Sequence, residues 1–229
     1  MKRTILRRLP AIIGLVGAVF LLSLAVPRTI SSITYELTTP VFDNRNNPQI
    51  SEEQLLEIKD DLLYAISWVD NPVTWSRLGY VYLALGNRST APDQKTLNLE
   101  EAENAFTNAV AGSPMDPYYW LRLSYARLLS GGKNDGSAVE ALKMSLLTGP
   151  YERPIAVEQI QYAALLWDQL DDEQQNIVRE KVRWISGLEN KKLLTLAKSN
   201  IEAMTVILSA LADGDLNRFT RFIKALNKT

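Results

Sequence analysis

The stretch Trp75-Ser76-Arg77-Leu78-Gly79-Tyr80-Val81-Tyr82-Leu83-Ala84-Leu85-Gly86 returns 45 residues later as Trp120-Leu121-Arg122-Leu123-Ser124-Tyr125-Ala126-Arg127-Leu128-Leu129-Ser130-Gly131. Trp, Arg, Leu, Tyr, Leu and Gly hold the same places in both copies. The segment downstream of each copy repeats as well: Ala102, Ala105, Phe106, Ala109 and Pro114 correspond to Ala138, Ala141, Leu142, Ser145 and Pro150. A fixed-period repeat of helix pairs predicts stacked hairpins that share one interior and present a surface for binding.

Packing explains the residue types. Small side chains at Ala102, Ala105 and Ala109 let the second helix of a hairpin approach the first, and Trp75 and Phe106 fill the space beside them. The residues expected to pack the repeats are Trp75, Leu78, Gly79, Ala102, Phe106, Ala109 and Pro114 in the first unit. In the second they are Trp120, Leu123, Ala138, Leu142 and Pro150. One hairpin cannot bury its apolar face alone, so neighbouring helices must complete it.

The other end of the chain carries a targeting signal. Lys2, Arg3, Arg7 and Arg8 precede an uncharged apolar run over residues 9–26. Eighteen residues cover roughly 27 Å, near the thickness of a bilayer's hydrocarbon core. Pro10 is placed in the first turn, where its missing N–H is harmless, and Gly14 and Gly17 are tolerated because a helix bonds its own backbone. Four cations on the near side keep residues 1–8 in the cytoplasm, with 9–27 crossing the membrane as a signal anchor. A cleaved signal peptide is the alternative, because Ser23 and Ala25 suit a peptidase. Either way the remainder is exported.

Composition excludes several functions. The chain has 229 residues, no Cys and no His. Disulfides, thiolate metal sites, a Cys nucleophile and imidazole bases or ligands are therefore absent. The net charge is −1, and removing the four N-terminal cations leaves −1 − 4 = −5. An acidic domain is ill suited to nucleic acid, whose phosphates demand a positive surface. No metal or cofactor is expected.

Residues 28–50 are expected to form a stalk. Pro27, Pro40 and Pro48 oppose helix, and Asp43-Asn44-Arg45-Asn46-Asn47 reads as turn. A helical domain over 51–229 comes next. Ser51 and Gln54 form a capping box, with Glu52 and Glu53 in the first turn and Leu55, Ile58, Leu62 and Ile66 on one face. The hairpins are expected at 75–85 with 99–111, joined by a polar connection over 88–98, and at 117–129 with 137–147, joined through Gly131-Gly132. Further helices are expected at 154–167, after an Asp171 cap, at 190–211 and at 216–226. That makes about nine helices and no sheet.

The spacing Trp75-x2-Leu78-Gly79-x2-Tyr82, Gly86, then Ala102-x3-Phe106-x2-Ala109-x4-Pro114 resembles a tetratricopeptide repeat, with extra residues between its helices. In the second copy Arg127 replaces the usual aromatic and Ser124 the usual glycine. The resemblance covers roughly residues 72–152 and implies an all-α, right-handed hairpin solenoid with a concave groove. Carried over position by position, that groove would be lined by Arg77, Tyr80, Leu83, Tyr118, Leu121, Arg122, Tyr125 and Leu128. Tyr and Arg are the side chains that anchor interfaces. Planar aromatics also stack on sugars, which leaves glycan contact as a further option.

No catalytic constellation stands out. Asp60-Asp61, Glu100-Glu101 and Asp171-Asp172-Glu173 are acidic pairs of the kind that hydrolyse glycosides, but each lies at or within an expected helix. Gly131-Gly132-Lys133 lacks the strand and spacing of a phosphate loop. Residues 43–47 lack the spacing of a calcium loop. The expectation is a non-catalytic adaptor, held in the bacterial inner membrane with its repeat domain in the periplasm, that binds other proteins. An accessory subunit of a larger membrane complex is the alternative, and a glycan-acting enzyme a third. The second unit, with Glu140-Ala141-Leu142 and residues 145–154, is also similar to small repeat proteins of bacterial exopolysaccharide and holdfast export systems. That similarity implies a scaffold role in polysaccharide assembly or export.

Overall fold

The computed structural model describes residues 2–43, 50–131 and 134–227, with side chains described from residue 11 and not over 39–43. Among them there are eleven α-helices and no strand. The chain is all-α with one long apolar helix at its N-terminus.

That first helix, α1, runs unbroken over Lys2–Asp43, about 63 Å at the standard rise. Its segment Ala11–Thr38 is long and apolar enough to cross a membrane. Pro10 therefore lies inside the helix rather than in its first turn. The expected stalk is helix as far as Asp43; residues 44–49, with Pro48 and the Asn-rich stretch, lie outside the described residues. A proline removes one backbone bond and costs about 3 kcal/mol, which is why a break is expected at Pro27. Here packing beyond Pro27 offsets the cost. On the far side of Pro27, Ser31, Thr34 and Thr38 are buried.

What buries them is the rest of the stack. α2 (Glu52–Trp68) packs along α1 and then along α3 (Pro72–Arg88). Its capping box is the expected one: the Gln54 amide donates to Ser51 Oγ and the Ser51 amide to Gln54 Oε1. α3 pairs with α4 (Pro92–Gly112), and α5 (Pro117–Leu129) with α6 (Ser137–Thr148). Both expected hairpins are present and sit shoulder to shoulder through α4 and α5. The polar connection expected over 88–98 is mostly helix, because Pro92 at the first position starts α4 early.

The prolines expose a longer repeat. Pro27, Pro72 and Pro117 are 45 residues apart, and eight residues beyond each stands a tyrosine: Tyr35, Tyr80 and Tyr125. The outer half of α1 is thus the first helix of a third, N-terminal hairpin whose second helix is α2. The membrane-length apolar segment and the stack share one helix.

Glycines set the spacing inside hairpins. A Cβ at Gly79 would come within 2.7 Å of the Phe106 ring, so that ring seats directly on α3 backbone. Gly112 meets Pro72, and Gly149 meets Pro117, in the same way: the end of each second helix abuts the proline that starts its first. Leu78, Ala102, Phe106, Ala109, Leu123, Ala138 and Leu142 are buried. Trp75 and Trp120 are half-buried, their indole N–H groups donating to Asp70 Oδ1 and to the Pro114 carbonyl. Pro114 and Pro150 are exposed in the turns.

Beyond the hairpins, α7 (Ala156–Leu165), a 3-10 turn (Trp167–Gln169) and α8 (Asp172–Ser186) continue the packing. The helix expected over 190–211 is two, α9 (Asn190–Ser199) and α10 (Ile201–Ala212). Asn200 divides them, its extended backbone ending α9 while its side chain caps the Ala203 amide at 2.6 Å. α11 (Leu216–Leu226) closes the chain on α9 and α10.

Candidate functional site

The first helices of successive hairpins bring the candidate groove residues into one ladder. The Arg77 guanidinium stacks over the Tyr35 ring at 3.6 Å and donates to the Tyr35 carbonyl (3.1 Å) and to Thr38 Oγ1 (3.0 Å). One unit on, Arg122 lies over the Tyr80 ring at 5.0 Å and pairs with Glu158 of α7 at 2.9 Å. Arginine and tyrosine are 42 residues apart in both stacks. The ladder ends where Tyr125 stacks on Tyr162 of α7, with centroids 5.2 Å apart and planes 6° from parallel.

Each rung is held from behind. Tyr80 meets the Phe106 ring edge-on at 5.6 Å. Behind α5, the buried Ser124 hydroxyl donates to the Ala138 carbonyl, and Gln159 reaches the Ser145 carbonyl and hydroxyl. Burial raises the pKa of Tyr80, against the opposing pull of Arg122. Burial likewise pushes Tyr119 up to about 12, with Asp116 and Tyr35 adding to it, and raises Tyr118 and Tyr162. These phenols stay protonated at neutral pH, so they serve as hydrogen-bond donors and flat apolar faces.

The structure brings together Arg77, Tyr80, Tyr118, Arg122 and Tyr125, and leaves Leu128 half-buried beside them. It places Leu83 and Leu121 elsewhere: both are buried in the core, away from any open face. They lie on the α3 and α5 faces turned toward the packed interior, where apolar burial outweighs groove lining. Tyr35, Thr38, Glu158 and Tyr162 are ladder members that lie outside the two repeat copies of residues 75–150. The 45-residue proline–tyrosine spacing carried the signal for Tyr35; the prolines of residues 27–50, with their helix-breaking character, hid it.

A second polar feature lies under the hairpin of α5 and α6. Lys181 of α8 is buried and donates to the carbonyls of Gly149 (3.0 Å) and Pro150 (2.6 Å). The ammonium thus closes the C-terminus of α6, where backbone carbonyls lack helical partners. Burial lowers its pKa from 10.5 to about 8, partly offset by Glu152. Among the described residues no group of three or more His, Cys, Asp or Glu is placed to hold a metal.

An all-α stack of helical hairpins, built on a membrane-length helix and faced by an arginine–tyrosine ladder, is the class of protein this fold defines. No family model matches the chain and no curated protein matches it.

Proposed function

We propose that the chain is a membrane-anchored, non-catalytic scaffold that holds a protein partner at a fixed height above the bilayer. The observation that carries this reading is the continuity of α1, whose apolar part would span the membrane while its outer half packs as the first helix of the hairpin stack. A stack joined to its anchor without a linker presents its faces at set positions, which is the property a scaffold needs. Lys2, Arg3, Arg7 and Arg8 favour a cytoplasmic N-terminus and an extracytoplasmic stack, in a bacterial inner membrane. The tetratricopeptide-like spacing supports protein binding, and the similarity to exopolysaccharide and holdfast systems suggests polysaccharide assembly or export as its setting.

A second reading, a structural accessory subunit of a larger membrane complex, is favoured by one specific observation. The ladder is largely satisfied within the chain, Arg77 by Tyr35 and Arg122 by Glu158. A subunit of that kind would use its helix surfaces and its anchor as interfaces and not a groove.

Gentle detergent extraction followed by mass spectrometry of the co-purifying proteins tests the proposal. The scaffold reading expects a partner that travels with the intact chain and is lost from a Tyr118→Ser, Leu128→Ser variant of unchanged helicity. Retention of the same partner by that folded variant moves the interface off the face bearing Tyr118 and Leu128 and favours the subunit reading.

A further inference from the structure

We infer, on the strength of the proposed membrane span, that the turns joining one hairpin to the next rest in the lipid headgroup layer, so that the stack lies along the bilayer with its helices standing on it. The direction of each helix leads to this. Within the apolar segment Ala11–Thr38, the uncharged run ends at Val26. Arg28 and Glu36 follow, exposed, while Ser31, Thr34 and Thr38 pack against the stack, so α1 leaves the span near Pro27 and climbs to Asp43. α2 packs back along α1, α3 climbs again, and α4, α5 and α6 alternate in turn. The inter-hairpin turns at 69–71, 113–116 and 149–155 therefore share the edge on which the membrane segment ends.

Heights agree with this. Arg77, five residues past Pro72, reaches the carbonyl of Tyr35, eight residues past Pro27. At ~1.5 Å per residue the two prolines differ in height by only about 4.5 Å. The headgroup layer on each side of a bilayer is roughly 5–7 Å deep. The contacts of Gly112 with Pro72 and of Gly149 with Pro117 keep the ends of α4 and α6 level with the starts of α3 and α5.

The two edges differ in chemistry as this placement requires. The turns within hairpins carry Ser89, Thr90, Asn134 and Asp135, all small or polar. In or next to the turns between hairpins stand exposed Trp68 (40%), Met115 (75%), Leu147 (62%) and Tyr151 (65%); at the opposite edge Leu129 (37%) is less exposed. Aromatic side chains of this kind favour membrane–water interfaces. A cleft of about 440 Å³ lined by Pro114, Met115, Tyr118 and Glu152 opens beside two of these turns. Asp70 and Asp116 on the same edge accept hydrogen bonds from the Trp75 indole and the Tyr118 amide. With carboxylates present and few cations, apolar insertion and not attraction to anionic lipid holds the edge down.

A chain without cysteine allows a direct test. Single Cys variants Val19→Cys, Met115→Cys, Leu147→Cys, Thr90→Cys and Asn134→Cys of the full chain are labelled with an environment-sensitive fluorophore. Each is reconstituted into phosphatidylcholine vesicles, with and without phosphatidylglycerol. Labels at 115 and 147 should shift to shorter wavelength and lose intensity to headgroup-level quencher lipids, equally in both lipid mixtures. Labels at 90 and 134 should respond to aqueous quencher alone. If 19 is quenched by acyl-chain quenchers while 115 and 147 behave like 90 and 134, the membrane span stands and this inference falls. If 19 is not quenched, the span itself fails and the inference with it. Shielding of 115 and 147 in native membranes but not in vesicles assigns the edge to a protein partner and overturns the lipid assignment.

Discussion

At the scale of single residues, the structure turns on groups whose substitution has a definite sign. Gly79 admits the Phe106 ring against α3 backbone, and a Cβ there would meet three ring atoms at 2.7–2.8 Å. Phe106 is fully buried and cannot swing away. Gly79→Ala is expected to destabilise the fold by about 1–3 kcal/mol, as overpacking does. Combining it with Phe106→Leu should recover part of that loss in a double-mutant cycle read by urea unfolding. Lys181 gives a pH signature. Its folded pKa of about 8 lies below its ordinary 10.5, so between these values the unfolded chain binds the proton and the folded chain does not. Stability contributed through this group is therefore smallest below pH 8 and rises toward pH 10.5, by up to about 3 kcal/mol. Buried tyrosines act oppositely: Tyr119, raised to about 12, costs stability once the unfolded phenol ionises above pH 10. The Lys181 contribution is isolated by comparing wild type with Lys181→Met at pH 7 and pH 10, where the difference in unfolding free energy should shift in favour of wild type at the higher pH.

At the scale of elements, α1 is the one whose role changes most between sequence and structure. Arg77→Met removes two hydrogen bonds to α1 and the stack on Tyr35. A loss of about 1–3 kcal/mol is expected, together with faster hydrogen exchange over the outer half of α1, since charged hydrogen bonds are worth that much. The hairpins α3 with α4 and α5 with α6 were legible because Trp, Gly and Ala recur at packing positions, and their periodicity reports the very contacts that hold them. The caps at Ser51 and Asp171 were legible because capping is local. The outer half of α1 was not, because Pro27 and Pro40 signal a break locally while burial of Ser31, Thr34 and Thr38 against distant helices opposes it. Asn200 acts in the other direction: the apolar pattern over 190–211 reads as one helix, yet the Asn200 side chain caps a new one. In the candidate site, the Tyr and Arg rungs could be read from repeat equivalence. Their partners Glu158 and Tyr162 could not, because α7 departs from the repeat and only packing brings it alongside.

At the scale of the whole molecule, the hairpin stack and the apolar N-terminal helix form one continuous body. A fragment of residues 27–229 retains the first helix of the N-terminal hairpin, whereas 51–229 strips it from α2 and α3. If 28–50 were a mere linker, the two fragments would melt together. The structure instead predicts that 51–229 melts several degrees lower and binds more hydrophobic dye, since a lost hairpin partner exposes apolar surface. Circular dichroism melting of the two fragments checks this. Absence of a swivel at Pro27 has a mechanical corollary. Spin of the apolar segment about its own axis carries the whole stack round with it, as a weathervane turns with its spindle. Whatever grips that segment thereby chooses the compass bearing on which the ladder faces outward.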